Sequence, residues 1–230
     1  MWIERRIENS MTILNLERSG QSPVPSEDAN AAKRGFMTQE RLDSGTAAID
    51  LASYRHPRPF SYLVKRGLWA CFQLPFWSAT PRALTKFRIA LLRLFGAKIG
   101  RNCRVNCGVR VWEPWNLVMG DYAVLGDSVE VYNLAPIDIG SNSVISQRTY
   151  LCSATHDYTD TSFPLYSKPI RIGSSVWVAA GAFVGPGVTL GDGAVIGAFS
   201  VVTRDMPEWM VCAGNPCRPI KPRELRTKME

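Results

Sequence analysis

Two stretches decide the fold: IGRNCRVNCGVRVWEPWNLVMGDYAVLGDSVEVYNLAPIDIGSNSVISQRTYLCSATH (residues 99–156) and IRIGSSVWVAAGAFVGPGVTLGDGAVIGAFSVV (residues 170–202). Counting by six, aliphatic residues recur at Ile99, Val105, Val111 and Leu117. A shift of two restarts the series at Met119, Leu125, Val131 and Ile137, and a second shift at Ile139, Ile145 and Leu151. After an interruption come Ile170, then Ile172, Val178, Val184, Leu190, Ile196 and Val202. Small residues often stand four places later, as at Cys103, Ala123, Ser143, Thr149, Thr155, Ala182, Ala194 and Ser200. Glycine often follows directly, as at Gly100, Gly120, Gly126, Gly140, Gly173, Gly185, Gly191 and Gly197. A helix repeats at 3.6 and a strand at 2, so a period of six is the mark of a hexapeptide β-helix.

The geometry follows from the period. Three hexads close one triangular coil, in which each side is a short strand and each corner a turn. The aliphatic residue of each hexad points inward onto its equivalents in the coils above and below. Small residues let the chain bend, and glycine is expected to supply backbone freedom at the corners. Coils beginning at Ile99, Met119, Ile139, Ile172 and Leu190 make about five. The third ends at His156, and the 13 residues 157–169 (DYTDTSFPLYSKP) leave it as a protruding loop. Gly185-Pro186-Gly187 is expected to be a corner turn only.

Upstream of the repeat the sequence changes twice. Residues 1–57 are polar and without sustained periodicity, and are expected to be disordered or loosely docked; His56 belongs to this linker. Residues 58–98 form a basic segment with two short expected helices, 60–74 and 81–95. Pro75 and Pro81 punctuate them, Thr80 is the expected N-cap of the second, and Gly96 its stop. The chain has 230 residues, 46% hydrophobic and 20% charged, with net charge +7. That charge is uneven: residues 54–110 hold twelve Lys/Arg and no Asp/Glu, whereas residues 111–203 hold three basic and eight acidic residues. Such a segment attracts an anionic membrane surface, phosphates or the acidic segment that follows it. The two helices are therefore expected either to cap the coil or to lie on a membrane interface. Nothing resembles a nucleic-acid-reading motif, so no nucleic-acid partner is expected.

No apolar run approaches the roughly 18–20 residues of a spanning helix. Glu4 and Glu8 stand where a secretion signal needs basic and then apolar residues, so a cytoplasmic protein is expected, peripheral at the inner membrane face if the basic helices bind lipid. Six cysteines without a CxxC spacing are expected to be reduced and structural, and two histidines leave little for a metal site.

With these residues in view, the sequence resembles the hexapeptide-repeat acyltransferases, most nearly the O-acetyltransferases of colanic-acid and related exopolysaccharide synthesis. VWEPWNL (111–117), ISQRTYLCSATHDYTD (145–160), residues 169–207 and VCAGNPCRPIKPRE (211–224) carry the resemblance. It implies a left-handed parallel β-helix over residues 99–207, a CoA-contacting tail over 208–230, a homotrimer with sites between neighbouring coils, and acetyl-CoA as co-substrate, without a metal.

Acetyl transfer to a hydroxyl needs a base for the alcohol proton and donors for the oxyanion. His156, where a coil breaks into the loop, suits the base; adjacent Asp157 is a candidate to bias its tautomer. The resemblance further implies that Trp177 borders the acyl site and Ala180 faces the thioester. It assigns Ala198, Thr203 and Arg204 to the pantetheine or phosphates, and Arg218 and Lys221 to the nucleotide phosphates. The Asn and Asp that small-sugar acetyltransferases place opposite the histidine are Gly126 and Leu134 here. Asp127, Ser128, Tyr132 and Asn133 are the nearby polar candidates, which favours a bulkier glycan or a lipid-linked sugar as acceptor. N-acetylation of a nucleotide sugar or antibiotic fits the same histidine. A non-catalytic scaffold predicts neither the loop histidine nor the basic tail.

Overall fold

The computed structural model describes residues 48–51, 59–77 and 84–226. His56, Thr80 and Pro81 lie outside the described residues, as does nearly all of the 1–57 extension. From Lys98 the chain winds as a three-faced parallel β-solenoid. The first face stacks Lys98–Ile99, Leu117–Met119, Ile137–Ile139, Ile170–Ile172 and Thr189–Leu190. The third stacks Arg110–Val111, Glu130–Tyr132, Tyr150–Cys152, Phe183–Val184 and Val201–Val202. The second carries Arg104–Val105, Val124–Leu125, Val144–Ile145, Trp177–Val178 and Val195–Ile196, then a sixth parallel strand, Met210–Ala213. The solenoid thus has about six turns, not the expected five. The extra turn has no aliphatic hexad to announce it: its inward residues are Met206 and Cys212, both buried.

The register explains the hexads. Lys98, Val118, Asp138, Arg171 and Thr189 lie in register one above another, so each inward aliphatic stacks on its equivalent. Val105, Leu125, Ile145, Val178 and Ile196 are all fully buried. Polar residues in the small-residue row are buried only with partners: the Ser143 hydroxyl donates to Gly173 O at 2.7 Å and accepts from Val176 N at 3.0 Å.

The glycines that directly follow the aliphatic residues serve the corners differently from expectation. Left-handed backbone falls on Asn102, Tyr122, Asn142 and Ser175, with φ of 54–61°. The glycines two places earlier have no such φ; at Gly140 an added Cβ would lie 2.5 Å from the Gly173 carbonyl carbon of the next coil. These glycines are present because neighbouring coils approach through them.

Two helices precede the solenoid: α1, Phe60–Trp77, and α2, Thr85–Leu94. α1 runs through Pro75 to Trp77, beyond its expected end at residue 74. α2 begins with Leu84 as its N-cap, without a side-chain cap, and stops before Gly96 at φ +99°.

These helices close the end of the solenoid. Within it, carbonyls of one coil accept from the preceding coil: Met119 O from Gly100 N, Leu125 O from Asn106 N, Val131 O from Trp112 N. The equivalent carbonyls of the first coil, at Ile99, Val105 and Val111, have no coil before them. Arg93 donates to Ile99 O at 2.7 Å, fully buried Arg88 to Val105 O at 2.8 Å, and Trp69 Nε1 to Val111 O at 2.7 Å. The Thr85 hydroxyl completes the imitation of a strand, accepting Val105 N and donating to Val105 O. Farther out, the Tyr62 hydroxyl donates to the buried Glu113 carboxylate, which also accepts from Trp115 Nε1 and Asn116 Nδ2. The EPWN segment is therefore an anchor for α1.

The six cysteines are free thiols, four of them buried. Burial pushes the Cys212 thiol up to about 11, and raises Cys103 and Cys217 as well. Exposed Cys71 is accordingly expected to react first with a maleimide, and Cys212 only after denaturation, as peptide mapping would read. In urea unfolding, Arg88→Met is expected to cost about 1.5–3 kcal/mol, since it strips a charged donor from a buried carbonyl. Removing the exposed Arg101–Asp121 pair (2.8 Å) through Arg101→Ala should leave the urea midpoint nearly unchanged.

Candidate active site

The second and third faces meet along an edge where each coil turns through a left-handed residue: Gly108, Ser128, Arg148, Gly181 and Phe199, with φ of 56–70°. A groove of about 560 Å3 runs along it, lined by Asn106, Asp127, Ser128, Gln147, Ala180 and Phe199 among others. Two expected acceptor residues, Asp127 and Ser128, thus share one groove with an expected cofactor residue, Ala180. Ala198 immediately precedes Phe199 on the same edge. Trp177 stands on the second face beside it, about half exposed, its Nε1 donating to the Ser146 hydroxyl at 3.0 Å.

Other candidates fall elsewhere. Thr203 and Arg204 are exposed on the next edge, where the third face returns to the first. Arg218 and Lys221 lie on Arg218–Pro222, an exposed strand antiparallel to Met210–Ala213. Asn133 does not reach the groove. It is fully buried, its Oδ1 accepting Glu113 N at 2.9 Å and its Nδ2 donating to Glu113 O at 2.6 Å. That amide stitches the first coil to the second, so the expectation that it contacts an acceptor is corrected. Tyr132 is half-buried in an aromatic stack on the third face, between Trp112 at 4.8 Å and Tyr150 at 6.4 Å.

His156 ends the strand Ala154–His156, which leaves the third face and pairs antiparallel with Leu165–Ser167. The 13-residue interruption is therefore largely a β-hairpin. His156 Nδ1 lies 2.9 Å from Phe163 O, and the two rings stack at 4.3 Å with an 8° interplanar angle. A carbonyl can only accept, so Nδ1 carries the proton and Nε2 of the neutral ring is the basic nitrogen. Phe163 itself is left-handed, at φ +47°, an uncommon conformation for an aromatic residue. Asp157 does not take part. Its Oδ1 accepts Thr159 N and the Thr159 hydroxyl, and these bonds hold its carboxyl below the usual range.

Sequence reasoning missed Phe163, Gln147 and Arg148. Gln147 and Arg148 occupy the corner one coil beyond Asp127 and Ser128, so the repeat register would have found them. A backbone carbonyl folding onto an imidazole leaves no sequence signal.

Residues 169–204 match the bacterial transferase hexapeptide family (six repeats). The chain is 44% identical over 176 residues to the protein named colanic acid biosynthesis acetyltransferase WcaF of Escherichia coli strain K12, covering 76% of this chain and 97% of that one. It is 33% identical over 144 residues to the galactoside O-acetyltransferase of the same strain, covering 61% and 71%. Among solved structures, a hexapeptide-repeat acetyltransferase of Vibrio cholerae complexed with acetyl coenzyme A superposes with a TM-score of 0.67 at 25% identity, covering 74% of this chain and 93% of that one. The chain belongs to the hexapeptide-repeat acetyltransferases.

Since Phe163 and not Asp157 orients the ring, Asp157→Asn is expected to leave the Nδ1-protonated tautomer in place, as nitrogen NMR of the imidazole would read. Phe163→Ala removes the stacking ring but keeps the carbonyl, so the same tautomer is expected to persist on a less firmly oriented ring.

Proposed function

We propose that this protein transfers the acetyl group of acetyl-CoA to a hydroxyl of an exopolysaccharide building block or lipid-linked sugar, with His156 as general base. The observation that carries the reading is the Phe163 carbonyl, which makes Nε2 the proton-accepting nitrogen on a hairpin that leaves the solenoid.

As the acceptor oxygen attacks the thioester carbonyl, its proton passes to Nε2. The tetrahedral intermediate collapses with cleavage of the C–S bond, and the imidazolium returns the proton to the departing CoA sulfur. The Phe163 carbonyl accepts the Nδ1 proton throughout and stabilises the imidazolium formed midway. Trp177 and Ala180 border the acyl group, while Ala198, Thr203 and Arg204 meet the pantetheine or phosphates. Arg218 and Lys221, both exposed basic residues, meet the nucleotide phosphates. Asp127 and Ser128 remain as acceptor contacts.

His156 is not among the groove-lining residues. A homotrimer resolves this, with the hairpin of one subunit reaching the groove of its neighbour. Similarity to a protein named for colanic acid biosynthesis supports a glycan acceptor.

The test is acetyl-CoA turnover against glycan, nucleotide-sugar and amine acceptors. His156→Ala is expected to lower acceptor-dependent thiol release by roughly 10²-fold or more. Undiminished turnover in that variant would remove His156 from the mechanism, and preference for an amine would replace O- by N-acetylation.

A further inference from the structure

Among the described residues, the helical end of the solenoid has an outer surface that the fold does not use. α1 is amphipathic in the inverted sense. Tyr62, Arg66, Trp69 and Gln73 face the solenoid and bond or stack with Glu113, Trp112 and the Val111 carbonyl. Its outward side is apolar: Phe60 is 79% exposed, Leu63 50%, Val64 46% and Leu68 55%. α2 adds Phe87 and Leu94, both exposed, while Ile89, Leu91 and Leu92 are buried inward. A clustered apolar surface of this kind marks an interaction site.

Around it stands a collar of cations. The first coil places an exposed base on each of its three faces, Lys98, Arg104 and Arg110, at intervals of six residues. The corresponding residues are Val118, Val124 and Glu130 in the second coil and Asp138, Val144 and Tyr150 in the third. The collar is therefore confined to the capped end. Lys86 extends it, and with Arg93, Asn102, Arg104 and Tyr122 it lines a groove of about 640 Å3 at the same end. The facing carboxylate, Asp121, is already held by Arg101.

We infer that this end is a docking surface for an anionic phospholipid bilayer, with the outer side of α1 in the headgroup–acyl boundary and the cationic collar on the lipid phosphates. An apolar face ringed by bases matches the two attractions that hold proteins at such an interface. A second copy of the chain is a poor occupant, since end-to-end pairing would set one collar against another. Among the described residues no helix is long and apolar enough to cross a membrane, so the contact is peripheral. The inference goes beyond the catalytic reading and does not depend on it.

The test is flotation of the full-length chain with phosphatidylcholine vesicles and with vesicles containing phosphatidylglycerol. Binding is expected to favour the anionic vesicles at least tenfold and to weaken in high salt; Lys86→Gln and Arg104→Gln should each lower it about fivefold. Leu63→Ser combined with Leu68→Ser should lower binding at every salt concentration while leaving the thermal midpoint and CoA binding unchanged, because both side chains are exposed and lie outside the catalytic groove. Equal binding to both vesicle types, or none, would overturn the proposal. A change in oligomeric mass on Leu63→Ser/Leu68→Ser would overturn it too, in favour of a second copy. Loss of CoA binding by the wild type would defeat the acetyltransferase reading and leave the vesicle result standing.

Discussion

A parallel β-solenoid is a stack of hydrogen-bonded coils, and a stack has ends. Each coil satisfies the carbonyls of the next, so the first coil is left with three inward-register carbonyls, one per face, and no strand to pair them. Leaving such groups buried and unpaired costs about 1–3 kcal/mol each. Here the cost is met by side chains: Arg93, Arg88 and Trp69 supply the three donors at Ile99, Val105 and Val111. The same six-residue spacing that builds the core therefore sets where the helices must place their donors. An uncapped strand edge is also a template for aggregation, which gives the cap a second role.

This arrangement explains why the basic segment lacks acidic residues without reducing its charge to one purpose. Arg88 and Arg93 face backbone carbonyls, Arg66 lies over Trp112, and Arg101 pairs with Asp121. A carboxylate among the inward positions would repel those carbonyls. Lys86, Lys98, Arg104 and Arg110 have no such task, and their exposure leaves them available to an external anion. Capping thus occupies only some residues of the segment and leaves others for the proposed surface attraction.

The candidate site illustrates how a regular scaffold acquires chemistry where its regularity breaks. The edge between the second and third faces repeats the same left-handed turn in successive coils, producing a groove whose chemistry depends on the corner residues. The longest interruption of the period, after Tyr150–Cys152, sends out the hairpin that carries His156. Rigid coils fix both ends of that hairpin, and the Phe163 carbonyl fixes the ring. A histidine on an unstructured 13-residue loop would have neither constraint.

Much of this was legible in the residues. The period of six determines the solenoid, the inward positions and the corners, because stacking requires like residues at like positions in every coil. The break after His156 marks the protruding loop for the same reason. Three features needed the folded chain. The sixth coil is hidden because Met206 and Cys212 replace the aliphatic pattern. Asn133 looks like any exposed polar residue until it is seen bonding the Glu113 backbone. The partner of His156 is a main-chain carbonyl seven residues away, and every residue has one. Periodicity reports side chains that repeat, whereas backbone partners and single bridging amides are decided only when the chain closes on itself.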